Sequence, residues 1–458
     1  RVPLAQSCRN WEAASSPRGP AALGLLGALA LALLLAPAWT ITVGILFAFI
    51  TLMMSTVMKL AAFGAQVTNI AQTKLAAAPP EALPRKLPKV SMLVPLLKEK
   101  EITGKLIQRL TRLSYPRALL EVVLVLAQGY TVTRDTIART DLPNWMSVIE
   151  VPSSAHLTTK PRALNYALEF CRGSIIGVWD AEDAPEPDQI EKVVRRFEDA
   201  PDNVACLQGV LDYYNARTNW ISRCFAIEYA TWWRIILPGV AQLGLVIPLG
   251  GTTLFFRRTV LEKLCGWDAH NVTEDADLGI RLARHGYVTE LIPTVTFEEA
   301  NCRAWPWVKQ RSRWLKGFLI TWMVHMRSPR ELLRDLGFWR FMGVQTLLLA
   351  TFAQFALAPL LWSFWLLLAG VDHPVSLTLG APAAIAMAVF FVFSEIINLA
   401  ISLVAVSRSE HRHLMPFVFT LPLYFPMAAL SAYKALKELV LEPFYWDKTQ
   451  HGISAGDD

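Results

Sequence analysis

Five long apolar runs, gathered toward the two ends of the chain, limit what this sequence can fold into more than any other feature. They cover 21–36 and 39–58, then 341–370, 381–406 and 414–433. A helix needs about 20 apolar residues to cross the roughly 30 Å hydrocarbon layer of a bilayer. Nothing comparable occurs between 58 and 341, which leaves room for one globular domain with a full core. At 53% hydrophobic and 18% charged, the chain is too apolar for an ordinary soluble domain and too charged for helices alone. A mixed architecture is expected.

The first run is short and follows Arg9 and Arg18, as in a signal peptide. The second follows after only a few residues, a gap that a cleaved peptide would leave without purpose. A helical hairpin over 21–58 is therefore expected. Basic residues lie before it (Arg1, Arg9, Arg18) and after it (Lys59, Lys74, Arg85), so both flanks, including 1–20, are read as cytoplasmic. The six cysteines form no C-x-x-C pair, which argues against a disulfide framework and a thiolate zinc site. A net charge of +6 without a basic, aromatic-interleaved stripe makes nucleic acid a poor partner, and anionic lipid or a small anionic substrate suffices.

A Pro-rich linker, 76–89, opens the domain. Short β-branched runs at 90–97, 121–126, 147–151, 174–179 and 204–210 alternate with helical patterns at 103–113, 161–171 and 187–199. Such alternation predicts an α/β domain over 90–303, a mostly parallel sheet with helices on both faces. Ligands of such sheets sit at the carboxyl ends of the strands.

After 174–179 comes "DAEDAPEPD", where Asp180, Glu182 and Asp183 suit Mg²⁺ or Mn²⁺ as hard oxygen ligands, or form a solvated acidic turn. "VTEDADLGIRL" places Glu274, Asp275 and Asp277 in a first helical turn, where the helix dipole alone favours acids and a general base is equally served. "TTKPRALNYAL" offers Lys160, Arg162 and Asn165 at a helix start, either as a phosphate site or as a solvated turn. Gly250 and Gly251 in "PLGGTTLFFRR" permit close approach of a ligand, or a strand bulge. "VKQRSRWLKGF" reads first as an interfacial amphipathic helix within 304–340, with Arg311, Arg313 and Lys316 toward headgroups and Trp305, Trp307 and Trp314 at their level. It also sets Gln310, Arg313 and Trp314 on one helical face.

In this order, Asp180-x-Glu182, Thr273-Glu274-Asp275 and Gln310-x-x-Arg313-Trp314 resemble the motifs of the membrane-embedded, processive family-2 glycosyltransferases, the cellulose, hyaluronan and chitin synthase-like β-glycan synthases. The resemblance covers roughly 90–317. It implies a cytosolic glycosyltransferase type A domain inserted between transmembrane helices. Asp180 and Glu182 would hold Mg²⁺ or Mn²⁺ on the donor diphosphate, with Asp183 close by. Asp275, beside Glu274, would be the base. Lys160 and Arg313 would contact the nucleotide phosphates, and Gln310, Arg313 and Trp314 the acceptor. The family's uracil-contacting Asp is missing after 121–126, and Glu182 replaces an Asp.

The tail "FYWDKTQHG", within 434–458, offers Trp446, Lys448, Thr449 and His451 as a gating lid. A cytosolic lid requires an even number of crossings after the domain. The run 414–433, interrupted by Pro416, Pro422 and Pro426, is therefore expected to be re-entrant within the channel region 341–433, giving four crossings in all. The expected activity is processive, inverting transfer from a UDP-sugar, UDP-glucose first, to a growing β-glycan in a bacterial inner membrane, with an accessory periplasmic export or regulatory subunit as a further partner. The alternatives are a UDP-N-acetylglucosamine-type synthase, a non-processive transferase acting on a lipid-linked acceptor, and a transporter or scaffold. The last would need several ionisable residues inside the apolar runs, where only Glu395 lies deep.

Overall fold

The computed structural model describes residues 2–11, 18–75, 86–96, 102–128, 131–139, 141–153 and 157–445. The proposed lid residues Trp446, Lys448, Thr449 and His451, and most of the linker 76–89, lie outside them.

Among the described residues, eight strands form one sheet: β1 (Val90–Leu96), β2 (Leu120–Ala127), β3 (Met146–Val151), β4 (Ile175–Val178), β5 (Ala184–Pro185), β6 (Val204–Tyr213), β7 (Leu254–Arg257) and β8 (Val288–Glu298), in the order β3-β2-β1-β4-β7-β6-β8-β5. Strict alternation sends Met92, Val94, Val122 and Leu124 into one core, and Leu93, Val123, Val125 and Val178 into the other. The first core is shared with helices Ile102–Leu110 and Gln189–Asp199, the second with Lys160–Leu168 and Trp220–Thr231. Helices thus cover both faces, as expected.

The sheet is mixed, however, where a mostly parallel one was expected. β7 pairs antiparallel with both β4 and β6, and β5 antiparallel with β8. The chain leaves β6 at its carboxyl end, runs through helices 220–242, and re-enters the sheet from that same edge, so β7 must run backwards. Its consequence is functional. The residues that precede β7 lie beside those that follow β4 and end β8.

Among the described residues, four helices are long and apolar enough to cross a membrane: Arg18–Leu35, Pro37–Ile70, Pro329–Ala356 and Ala381–Ala405. A fifth span is possible if Arg412–Val418 and Leu421–Leu441, bent by 67° where prolines interrupt the run, count as one. Two details differ from the sequence reading. Helix Pro37–Leu75 continues well past 58 and packs so closely on residues 237–242 that a Cβ at Gly239 would lie 1.9 Å from the Ala62 carbonyl oxygen. Only Ala36 separates it from Arg18–Leu35, Thr40 N still bonds Ala36 O, and the first helix buries none of its residues. The run 341–370 also breaks, at Leu357, because Pro359 starts a new helix, Ala358–Leu368, too short to span.

Residues of the N-terminal segment dock on the domain. Ser7 Oγ donates to Asp268 Oδ1 (2.9 Å), and Arg327 bonds the Leu4 and Ser7 carbonyls.

Candidate active site

Asp180 and Asp183 follow β4, Glu298 ends β8, and Gly250–Thr252 precede β7, all on one edge of the sheet. Lys160, at the first turn of its helix, reaches across this edge. Its ammonium donates to Asp180 Oδ1 (2.6 Å) and to the Gly251 carbonyl (2.7 Å). Burial alone would lower its pKa, but the carboxylates of Asp180, Asp275 and Glu274 hold it above the ordinary lysine value.

The remaining acids are crowded. Asp183 is fully buried, and it accepts from Asp180 N (2.7 Å) and from the Thr252 hydroxyl. Among the described residues its Oδ1 finds no partner. Burial, then the charges of Asp180 and Glu182, push its pKa well above the usual carboxylate range. Glu298 is raised by burial and by Asp183, Asp180 and Glu182. Asp275 is raised by burial and by Glu274, against the pull of Lys160, and Glu274 by burial, opposed by Lys160. One lysine thus faces a surplus of carboxylates. A divalent cation fits that surplus, because such ions take hard oxygen ligands and neutralise like charges held together. No ready-made cage of three or more His, Cys, Asp or Glu ligands exists among the described residues, so waters and substrate phosphates would complete the shell.

Two residues that the sequence reading passed over belong here. Trp267 Nε1 donates to Asp275 Oδ1 (3.1 Å) from a fully buried indole, and Asn165 clamps that loop through Trp267 N (2.9 Å) and Trp267 O (2.7 Å). Asn165 is therefore a loop clamp, and Arg162 bonds the Pro152 carbonyl (2.8 Å). Glu298 was legible only as the last residue of an unassigned alternating run, 288–298. Asp277 leaves the chemistry altogether: it is fully buried, paired with Arg281 (2.7 Å) and His325 (3.0 Å).

Gln310, Arg313 and Trp314 lie on one continuous helix, Ala304–His325, packed through the molecule. A Cβ at Gly317 would stand 2.3 Å from the Thr273 side chain, so only glycine lets this helix press against the start of the Glu274–Arg284 helix. The cations expected at headgroups are otherwise engaged. Arg311 pairs with Glu228 (2.5 Å), while Lys316, fully buried, pairs with Glu438 (2.9 Å). Trp307 is buried as well. Gln310 accepts from Asn301 (2.7 Å), and Trp314 packs against Phe225 and Tyr229. The charge of Arg313 reaches Glu274.

One cavity of about 770 Å³ joins these parts. Lys160, Asp180, Glu182, Glu274, Asp275 and Glu298 line it, together with Gln310, Arg313 and Trp314 and with Trp362, Trp365 and Phe391 of the apolar helices. Gly251 lies beside two of these charges. A Cβ there would stand 3.7 Å from Asp275 Oδ2 and 3.9 Å from Lys160 Nζ, ordinary contacts that need no rearrangement. Gly251→Ala is therefore expected to change stability by less than about 0.5 kcal/mol. It is expected to weaken, roughly tenfold in KM, equivalent to about 1.4 kcal/mol, the binding of a ligand that approaches this backbone. Thermal unfolding and steady-state kinetics check the pair.

The sequence family described as "Glycosyl transferase family group 2" matches residues 175–404. A probable glycosyltransferase, YdaM, of Bacillus subtilis (strain 168) is 28% identical over 236 residues, 51% of this chain and 56% of that protein. A beta-monoglucosyldiacylglycerol synthase of Synechocystis sp. is 28% identical over 274 residues, 57% of this chain and 55% of that one. The chain spans about half the length of the curated relatives it matches. Among solved structures, the mannosyltransferase PcManGT from Pyrobaculum calidifontis in complex with GDP-Man and Mn²⁺ covers 84% of this chain and 99% of its own, at 18% identity and a TM-score of 0.48. With its motif residues collected on one edge of the sheet and half its length matched by one family, the chain belongs to glycosyl transferase family group 2.

Proposed function

We propose that this site transfers one sugar from a nucleoside diphosphate donor to a hydroxyl of a membrane lipid. The observation that carries the reading is the single cavity, lined both by the acidic cluster with Lys160 and by Leu361, Trp362, Trp365 and Phe391 of the apolar helices. Such a lining suits acyl chains better than a bare, hydrated glycan. Three relatives named for monoglucosyldiacylglycerol synthesis favour the same class of acceptor.

In this reading the acceptor oxygen attacks the anomeric carbon, the bond from that carbon to the diphosphate oxygen breaks, and the configuration inverts. Asp275 takes the hydroxyl proton, with Trp267 fixing the carboxylate. Lys160 and Arg313 carry the charge of the departing nucleoside diphosphate. Trp314 presents a ring edge or face to the sugar, backed by Phe225 and Tyr229. Asp180 and Glu182 would hold a divalent cation, with Asp183 and Glu298 adjacent, and that ion would supply further neutralisation of the diphosphate.

The acids give a binding readout independent of turnover. Carboxylates whose folded pKa lies above the unfolded one bind more protons in the folded state, so they cost stability as pH rises through that window, and fully above it. A cation that removes the cost is expected to stabilise the folded state at neutral pH by about 2.7 kcal/mol at a hundred times its Kd, and so to raise the unfolding midpoint. Mn²⁺ titration followed by thermal unfolding measures this, and Asp180→Asn should abolish the shift.

The reaction itself is tested with the protein in lipid nanodiscs, Mn²⁺ or Mg²⁺, and radiolabelled nucleotide sugars, UDP-glucose first. Label in a solvent-extractable lipid bearing one sugar supports the reading. Label in a water-insoluble polymer cleaved by linkage-specific glycanases would overturn it in favour of processive synthesis.

A further inference from the structure

The apolar half of the cavity contains a polar strip that sugar transfer as described does not use. Lys59, on helix Pro37–Leu75, donates to Asn398 Oδ1 (2.9 Å) on helix Ala381–Ala405. Glu395, one turn from Asn398, is the carboxylate whose charge acts most strongly on Lys59, and Glu228 follows it. Ser55, Lys59, Glu395 and Asn398 all line the cavity.

Helix packing does not require them. The same two helices are already tied one turn away by Thr56 and Ser394, which share a 2.8 Å hydrogen bond, are buried, and do not line the cavity. Ionisable side chains within helices of this kind are expensive and turn toward a pathway or a ligand. Lys59 and Glu395 are half-buried, and the space they face is the cavity.

Resting on the lipid-acceptor reading, we infer that Lys59, Asn398 and Glu395 form a subsite for the uncharged, hydroxyl-bearing head of the acceptor lipid. The charges decide the class. Lys59 is balanced by Glu395, and Glu228 is answered by Arg311 (2.5 Å) and the Tyr424 hydroxyl (3.0 Å), so the strip carries no net cation to hold a phosphate. An anionic head would gain Lys59 but meet Glu395 and the other acids that line the same cavity. A hydroxyl donates and accepts at once. It can give its proton to Glu395 or to the Asn398 oxygen and receive one from Lys59. The head could be glycerol or a sugar already attached to one, and both present the same chemistry.

The test uses the whole chain in nanodiscs with a nucleotide sugar that it consumes. Dioleoylglycerol, its monoglucosyl derivative, dioleoyl phosphatidylglycerol and undecaprenyl phosphate are supplied separately as acceptors. Phosphatidylglycerol offers glycerol hydroxyls beside a phosphate, so it isolates the effect of charge. The neutral lipids are expected to be glycosylated at least tenfold more efficiently in kcat/KM than either anionic one, and whichever neutral lipid reacts identifies the head. Glu395→Gln is expected to narrow the gap about tenfold, through KM for phosphatidylglycerol. In the unaltered protein, a diazirine-bearing diacylglycerol should crosslink to peptides of 37–75 and 381–405, competed by dioleoylglycerol and not by phosphatidylglycerol.

Equal use of neutral and anionic lipids, or crosslinking competed equally by both, would overturn the subsite while leaving lipid transfer intact. Donor turnover with no lipid product would overturn the lipid reading, and the subsite with it.

Discussion

Asp275→Asn will lower kcat by about 10²–10⁴, the usual worth of a positioned general base, and leave nucleotide binding nearly unchanged. The amide keeps the shape and still accepts from Trp267 Nε1, but it cannot take the proton of the acceptor hydroxyl. Single-turnover chemistry alongside an isothermal titration of the nucleoside diphosphate separates the two effects. A variant retaining more than a tenth of the rate would remove Asp275 as base.

The pH profile offers a second handle on the same residue. Burial and Glu274 raise the pKa of Asp275, so the active, deprotonated form is lost at a higher pH than for a free aspartate as the solution is acidified. The acid limb of kcat therefore lies above the ordinary carboxylate range. Glu274→Gln removes a like charge, which lowers the Asp275 pKa and moves that limb to lower pH. A limb that stays in place would show that another group titrates.

The largest expected loss of stability comes from Arg281→Leu. The guanidinium is fully buried and satisfies Asp277 (2.7 Å), the Leu264 carbonyl (2.9 Å) and the Gly266 carbonyl (2.8 Å), while Asp277 also meets His325 (3.0 Å). Removing one partner strands a buried carboxylate and two carbonyls, at a cost of about 3–5 kcal/mol. The network fixes the Glu274–Arg284 helix to the turn that carries Trp267, so activity per folded molecule should fall as well. Denaturant unfolding of Arg281→Leu against the double variant Arg281→Leu/Asp277→Leu checks the cause, since removing both charges should restore part of the loss.

Much of this protein was written in local patterns. Five of the eight strands stand where β-branched runs announced them, because alternation along 90–96 or 120–127 can be satisfied only by burying both faces. Asp180, Asp275 and Lys160 were legible because each sits at the end of a strand or the start of a helix, the positions an α/β sheet exposes to ligands. The apolar runs likewise foretold the long helices, since their length alone distinguishes them from core segments.

What sequence could not give was decided by residues distant in the chain. β7 was read only as a pair of glycines, because its direction depends on where the helices 220–242 deliver the chain. Glu298 and Trp267 became site residues only when β8 and the loop before 274 were folded onto the same edge. The same helical turn holds Asp275 and Asp277, yet one faces the cavity and the other a buried arginine. Arg311 and Lys316 looked like surface cations until Glu228 and Glu438 met them across the fold. Periodicity fixes which face of an element is apolar. The charge partner of a buried ion, and so its pKa and its role, is set by long-range packing that no local window contains.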